Sequence, residues 1–227
     1  MDPEKIFEWT VAERLSLADF LDGLDEHEWQ VASLCPGWTV HDVLAHLTLG
    51  TRTTVRDLLV GLVRSGGGFN RMEARMARDR AARFSPAELV AQFRSSAASR
   101  RRSPGSGPLD PLVDALVHGQ DIARPLGRIR KMPPEPALAG LESARKSSFY
   151  GARRRFRGIR LVATDLEWSA GDGPDEVRGP VADLLILATG RSAGLATLSG
   201  RGAERLAGTR WPTAPVVLRR WYSVRRP

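Results

Sequence analysis

The 227-residue chain contains one cysteine, Cys35. That excludes an intramolecular disulfide framework and any zinc or iron–sulfur centre built from several thiolates. Long apolar runs are also missing. The longest, Val181 to Gly190, is interrupted by Asp183 and is far too short to span a bilayer. The amino terminus, Met-Asp-Pro-Glu-Lys, has neither a basic flank nor an apolar core, so a secretion signal is not expected and a cytoplasmic location is. Lysine is nearly absent: Lys5, Lys131 and Lys146 stand among 34 basic residues. Neither the dinucleotide nor the P-loop glycine spacing occurs. No internal repeat or low-complexity tract is present.

What the chain does have is the balance of a folded protein, 42% hydrophobic and 26% charged residues, with a net charge of +8 and a pI near 10.8. The charge is unevenly spread. Residues 1–50 sum to −8, residues 51–130 to +8 and residues 131–227 to +8. An acidic first segment against a basic remainder fits complementarity between helices better than a stripe facing nucleic acid. Arg100–Arg102 and Arg153–Arg155 fall at expected element ends, where bases favour helix C-termini. With no recognition motif beside them, nucleic acid is not an expected partner. A basic cleft would instead favour a carboxylate or a thiolate.

Hydrophobic periodicity predicts an amphipathic helix over 4–24, carried by Phe7, Val11, Leu15, Ala18 and Leu21. A polar connection leads to a turn at Cys35-Pro-Gly-Trp38. Thr39 and Asp42 then form a capping box opening a helix to about Val63. Asn70 is expected to cap an Arg-rich helix ending near Arg83, and Ser85-Pro-Ala-Glu88 to open one running to about Arg101. Asp110-Pro111 starts another that stops near Pro125 and Gly127, and Pro136 to Tyr150 reads as helical. Ile159–Thr164 reads as a strand, Asp172–Asp175 as a turn, Val177-Arg178 as a second short strand, and Pro180 as the opening of a helix through Thr189. The expected organisation is α+β: a helical bundle over 1–130, a connecting linker and helix over 131–150, a small α/β domain over 151–208 and a basic tail over 209–227.

Two elements of the bundle match each other, Asp42-Val-Leu-Ala-His46 and Asp114-Ala-Leu-Val-His118. Residues four apart share a helix face, so each pair projects a carboxylate beside an imidazole, and Asp121 adds a third polar group near His118. Two histidines and a carboxylate from facing helices are the recipe for a divalent-metal site in a bundle core. Spacing alone favours the plainer reading, a satisfied core histidine in each helix. Trp29 and Trp38 read as structural anchors, Cys35 as packing rather than a nucleophile, and His27 and His41 as exposed.

Leu24 with Trp29, the turn Cys35-Pro-Gly-Trp-Thr-Val40 and Asp42-Val-Leu-Ala-His-Leu47 resemble the N-terminal domain of the mycothiol-dependent maleylpyruvate isomerase family, a DinB-like four-helix bundle. Val117-His-Gly-Gln-Asp-Ile122 with Arg124-Pro-Leu-Gly127 is similar to that family's second signature helix. Arg160–Ser169, Gly171-Asp-Gly-Pro174, Val177-Arg-Gly-Pro180 and Thr189-Gly-Arg191 resemble its small C-terminal domain. The likeness spans about residues 10–208 in the family's order.

The resemblance implies one divalent metal, commonly zinc, held by His46, Asp114 and His118. The family has glutamate where this chain has Asp114, one methylene shorter, so helix closure, a bridging water, or Asp121 or Asp42 would make up the difference. It further implies mycothiol as thiol cosubstrate, isomerase or S-transferase chemistry on a small electrophile bearing a carboxylate, and Arg191 as an active-site arginine. Arg191 also has an ordinary reading as an arginine facing a helix C-terminus. The partners implied are small molecules, with no membrane or nucleic acid, in a monomer or homodimer. The alternative is a binding or regulatory module on the same fold, with Asp114 marking a degenerate metal site.

Overall fold

Asp2 starts the first helix by accepting the Glu4 amide, with Pro3 in the first helical position, where its missing N–H costs nothing. The computed structural model that contains this helix describes residues 1–209 and residue 211. The chain divides into two compact units between Lys131 and Met132. The expected basic tail lies, apart from Thr209 and Trp211, outside the described residues.

The first unit carries α1 (Pro3–Asp22), a 3-10 turn (Glu26–Gln30), α2 (Val40–Leu49), α3 (Val55–Arg64), α4 (Phe69–Ala81), α5 (Pro86–Ser95) and α6 (Asp110–Ala123). α1 and α2 each pack against both α5 and α6, which closes a four-helix bundle, and α4 lies along α2 with α3 beside it. Leu17, Leu21, Leu44, Leu89, Phe93 and Ile122 fill its core. Trp29 and Trp38 are buried in the same core, as anchors of the α1–α2 connection. A buried ion pair joins α1 to the segment after α6: Arg130 Nη1 donates to Glu13 Oε1 at 2.7 Å.

The helix expected from Thr39 to Val63 is two helices. Thr39 and Asp42 cap α2 reciprocally as expected, but Thr54 and Asp57 repeat the same box fifteen residues on and restart the chain as α3. A threonine with an aspartate three residues later supplies a helix start wherever it occurs, and Gly50 with the β-branched Thr51 and Thr53 disfavours continuation. α5 stops at Ser95 rather than Arg101 because Ser95 Oγ and Ser96 Oγ donate back to Gln92 O and Phe93 O. α4 begins at Phe69, capped by Gly68, so Asn70 lies inside the helix.

The second unit contains α7 (Pro134–Lys146), α8 (Ala152–Arg155), β1 (Ile159–Ala163), β2 (Ser169–Ala170), β3 (Asp175–Gly179), α9 (Val181–Ala188), a 3-10 turn (Ser192–Thr197) and α10 (Arg201–Ala207). The sheet order is β2-β1-β3, with β1 antiparallel to β2 and parallel to β3 in register Ile159 to Asp175. Its buried side alternates along β1 through Ile159, Leu161 and Ala163. α7 packs on α9, and α10 on β3. The turn between β2 and β3 hugs β1: a Cβ on Gly173 would lie 1.9 Å from the Gly158 carbonyl carbon, so only glycine fits. β2, two residues long, was not among the expected strands. The helix expected over 136–150 ends at Lys146, where Ser147 turns extended. Helices with one small mixed sheet make this an α+β fold. No helix among the described residues is long and apolar enough to cross a membrane.

Candidate metal centre

α2 is apolar on nearly every side, with Val40, Val43, Leu44, Ala45 and Leu47 all buried. Its histidine is therefore carried into the core whichever way the helix rolls, and His46 is 8% exposed. α6 is similar, buried from Leu112 to Ala123 except on the side of Asp114. The two helices face each other, and their imidazole rings meet edge to face at 5.0 Å between centroids.

Asp114 sits between them. Its Oδ1 is 3.3 Å from His118 Nε2 and 3.6 Å from His46 Nε2, and the three donor atoms lie within 4.8 Å of one another. The shorter aspartate thus still reaches both imidazoles. Each histidine also has a carboxylate behind it. His118 Nδ1 is 2.9 Å from Asp121 Oδ2, one helical turn away. His46 Nδ1 is 3.1 Å from Glu73 Oε2 of α4, but Glu73 lies off the direction of the ring N–H, so this buried nitrogen makes no directed hydrogen bond. Cys35 lies in the second layer, its buried thiol donating to Asp121 Oδ2 at 3.2 Å and sitting 3.6 Å from His118 Nδ1. Trp38 covers His46, ring to ring at 5.3 Å.

The electrostatics follow from this layering. Burial alone would push the His46 imidazole down, but the Asp114 and Glu73 carboxylates outweigh it and raise it to about 9. His118 is likewise raised well above its ordinary value: Cys35, Asp114 and Asp121 overcome the opposing effect of burial. Burial would raise Asp114, yet the two imidazoles hold its carboxyl well below the usual carboxylate range. Both ring nitrogens of each histidine face carboxylates, which only accept, so the cluster without a metal is a pair of imidazolium groups around one anion.

The donor set fits a divalent metal. Two imidazole nitrogens and one carboxylate oxygen are the three-ligand arrangement that leaves a catalytic zinc an open position. The Asp121–His118 contact is the outer-layer bond that fixes which nitrogen faces the ion. Among the described residues of the cluster the Asp114 side chain is the most exposed, at 37%.

The sequence-derived residues divide clearly. His46, Asp114 and His118 are brought together, while Asp42 is spent on its helix cap, its Oδ2 accepting from Thr39 N and Oγ1. Arg191 belongs to the second unit, where it precedes the Ser192–Thr197 turn and its Nη1 donates to Thr189 O at 2.9 Å. His27 is exposed as expected. His41 is not: it is half-buried, with Nε2 3.1 Å from Phe84 O, because the start of α2 packs against the chain leaving α4. Glu73 was missed. No spacing relates it to His46, and only the packing of α4 on α2 brings them together.

Residues 10–111 match the family described as mycothiol maleylpyruvate isomerase N-terminal domain. Two solved structures are similar over 89% of this chain and 94% of theirs, at 12% identity: the mycothiol-dependent maleylpyruvate isomerase, with a TM-score of 0.60, and a histidine-to-alanine mutant of it, with 0.61. No curated protein sequence matches the chain. Asp114 and His118 lie just beyond the matched stretch, on the helix that begins at its last residues. Residues 10–111 thus carry the pattern of the mycothiol maleylpyruvate isomerase N-terminal domain, and the fold of the chain is that of the mycothiol-dependent maleylpyruvate isomerase.

Proposed function

We propose that this protein is a divalent-metal-dependent mycothiol enzyme, an isomerase or S-transferase acting on a small electrophile that bears a carboxylate. The observation that carries the reading is the convergence of His46 Nε2, His118 Nε2 and Asp114 Oδ1, two buried imidazoles and a part-exposed carboxylate. His46, Asp114 and His118 would hold the ion, zinc being the best match to two imidazoles and a carboxylate. A bound divalent ion supplies the Lewis acidity that keeps a thiol as thiolate at neutral pH.

The chain's own groups do the rest. Asp121 keeps the His118 proton on Nδ1, which leaves Nε2 as the donor facing the ion. Glu73 stands behind His46 as a nearby anion, without a directed hydrogen bond to it. Trp38 and the apolar face of α2 exclude water from the inner side, so thiol and substrate enter past Asp114. Arg191, assigned from the resemblance, would hold the substrate carboxylate with its planar fork. The reading carries a cytoplasmic location with it, a reducing compartment in which a free thiol cosubstrate persists.

Elemental analysis of the purified full-length protein, followed by a mycothiol-dependent assay on maleylpyruvate with and without chelator, tests the proposal. About one divalent ion per chain and chelator-sensitive turnover are expected. Thiol returned after each cycle marks an isomerase, and thiol consumed marks a transferase. Metal-free protein that gains no thermal stability from added zinc would overturn the reading.

A further inference from the structure

Several arginines of the first unit meet carboxylates: Arg75 with Asp79, Arg94 with Asp19 and Asp22, Arg100 with Glu4, Arg128 with Glu28 and Arg130 with Glu13. Arg52 and Arg80 are arranged differently. Arg52, in the turn after α2, donates from Nη1 to Thr48 O at 3.1 Å and from Nη2 to Gln92 O at 3.3 Å. Arg80, in the last turn of α4, donates from Nε to Thr48 Oγ1 at 2.5 Å and from Nη2 to Gln92 Oε1. The two guanidinium groups therefore flank the same two residues, one on the backbone of each and one on its side chain. Phe84 supports Arg80 from below, 4.8 Å from ring centroid to Cζ.

Both side chains are half-buried, and among the described residues neither has a carboxylate within ion-pair reach. Burial holds both below the usual arginine range, and the charge of Arg52 lowers Arg80 further. Capping explains one arginine here but not two. Thr48 and Gln92 lie near the C-terminal ends of α2 and α5, where a single cation satisfies the carbonyls, and a second adds like-charge repulsion in a poorly solvated place. Each guanidinium has five N–H donors and uses two, which leaves three on each. Two fixed planar forks with spare donors and no anion of their own are suited to a tetrahedral oxyanion.

We propose that Arg52 and Arg80 form a binding site for a small oxyanion of the phosphate or sulfate class, held where α2, α4 and α5 meet. Thr48 and Gln92 orient the two forks, and the anion takes the place that carboxylates fill for the ion-paired arginines. This site is independent of His46, Asp114 and His118, and its failure would leave the metal-centre reading untouched.

The test is thermal unfolding of the full-length protein with inorganic phosphate, chloride replacing it at constant ionic strength, for wild type, Arg52→Gln and Arg80→Gln. A saturable rise in melting temperature is expected for the wild type, shared by sulfate and lost in both variants. Methyl phosphate separates the sources: an equal response assigns the site to a phosphoryl group on a larger molecule, and a lost one to the free ion. A wild-type response no larger than that to chloride overturns the proposal. So does an equal phosphate response in all three proteins, which is the generic effect of an excluded salt. Should either variant fail to fold, the phosphorus NMR line of phosphate decides on wild-type protein alone. Broadening that sulfate reverses supports the site, and an unchanged line overturns it.

Discussion

His118 and Asp121 are bound to each other across a single helical turn, Nδ1 to Oδ2 at 2.9 Å, with Asp121 wholly buried. The contact settles which imidazole nitrogen faces Asp114 and His46. Asp121→Asn keeps the shape and weakens the acceptor, so metal affinity is expected to fall roughly 10- to 100-fold with the fold retained. Competition titration against a zinc indicator measures this, and unchanged affinity would remove Asp121 from the site.

Protons should leave as metal binds. Without metal, His46 is raised to about 9 and His118 well above its ordinary value, so both are charged at neutral pH, whereas a ligating imidazole must be neutral at the bonding nitrogen. Calorimetry in buffers of different ionisation enthalpy is expected to report about two protons released per ion at pH 7, one from each Nε2. Affinity should rise with pH through about 9, where His46 gives up its proton. The stability of metal-free protein should run the other way. The raised His46 value stabilises the fold fully below about 6.5, its unfolded value, and that part is lost as pH climbs through about 9.

Cys35 is buried at 1% exposure and donates to Asp121. Its thiol should not react with an aromatic disulfide reagent in the native protein and should react once denaturant opens the bundle. Cys35→Ser preserves a donor to Asp121 and should bind zinc as wild type does, while Cys35→Ala should bind it more weakly. Fast native labelling would contradict the packing described for α2 and α6.

Glu13 and Arg130 are 5% and 8% exposed. Arg130→Met strands a buried carboxylate and should cost about 3–5 kcal/mol in chemical denaturation. Adding Glu13→Leu should restore most of that loss, because the cost lies in the unpaired charge and not in the missing bond.

Much of this was legible in the chain and some was not, for identifiable reasons. The boxes at Thr39 and Ser85 could be read because a cap is written within four consecutive residues. The break between α2 and α3 was written in the same code at Thr54, but the apolar run across it read as one helix. Asp114 and His118 share a face by spacing alone, whereas their meeting with His46 depends on how α2 and α6 pack; the two matching elements allowed it, and the resemblance pointed to it. Glu73 and the arginine pair at Thr48 had no local signal. Each arises from the contact of α4 with α2, a relation between residues 27 and 32 positions apart. β2 is two residues long and its pairing is decided by β1.

Asp114 reaches both imidazoles on the shortest carboxylate side chain available. A glutamate in its place could absorb a change in helix separation by turning about one more bond. Aspartate lacks that slack, so the distance between the axes of α2 and α6 is transmitted almost rigidly to the donor atoms. The cluster acts as a calliper on the bundle. Anything that wedges these two helices apart, an overlarge core residue or a slipped register, should register as lost metal affinity before it registers as lost helix.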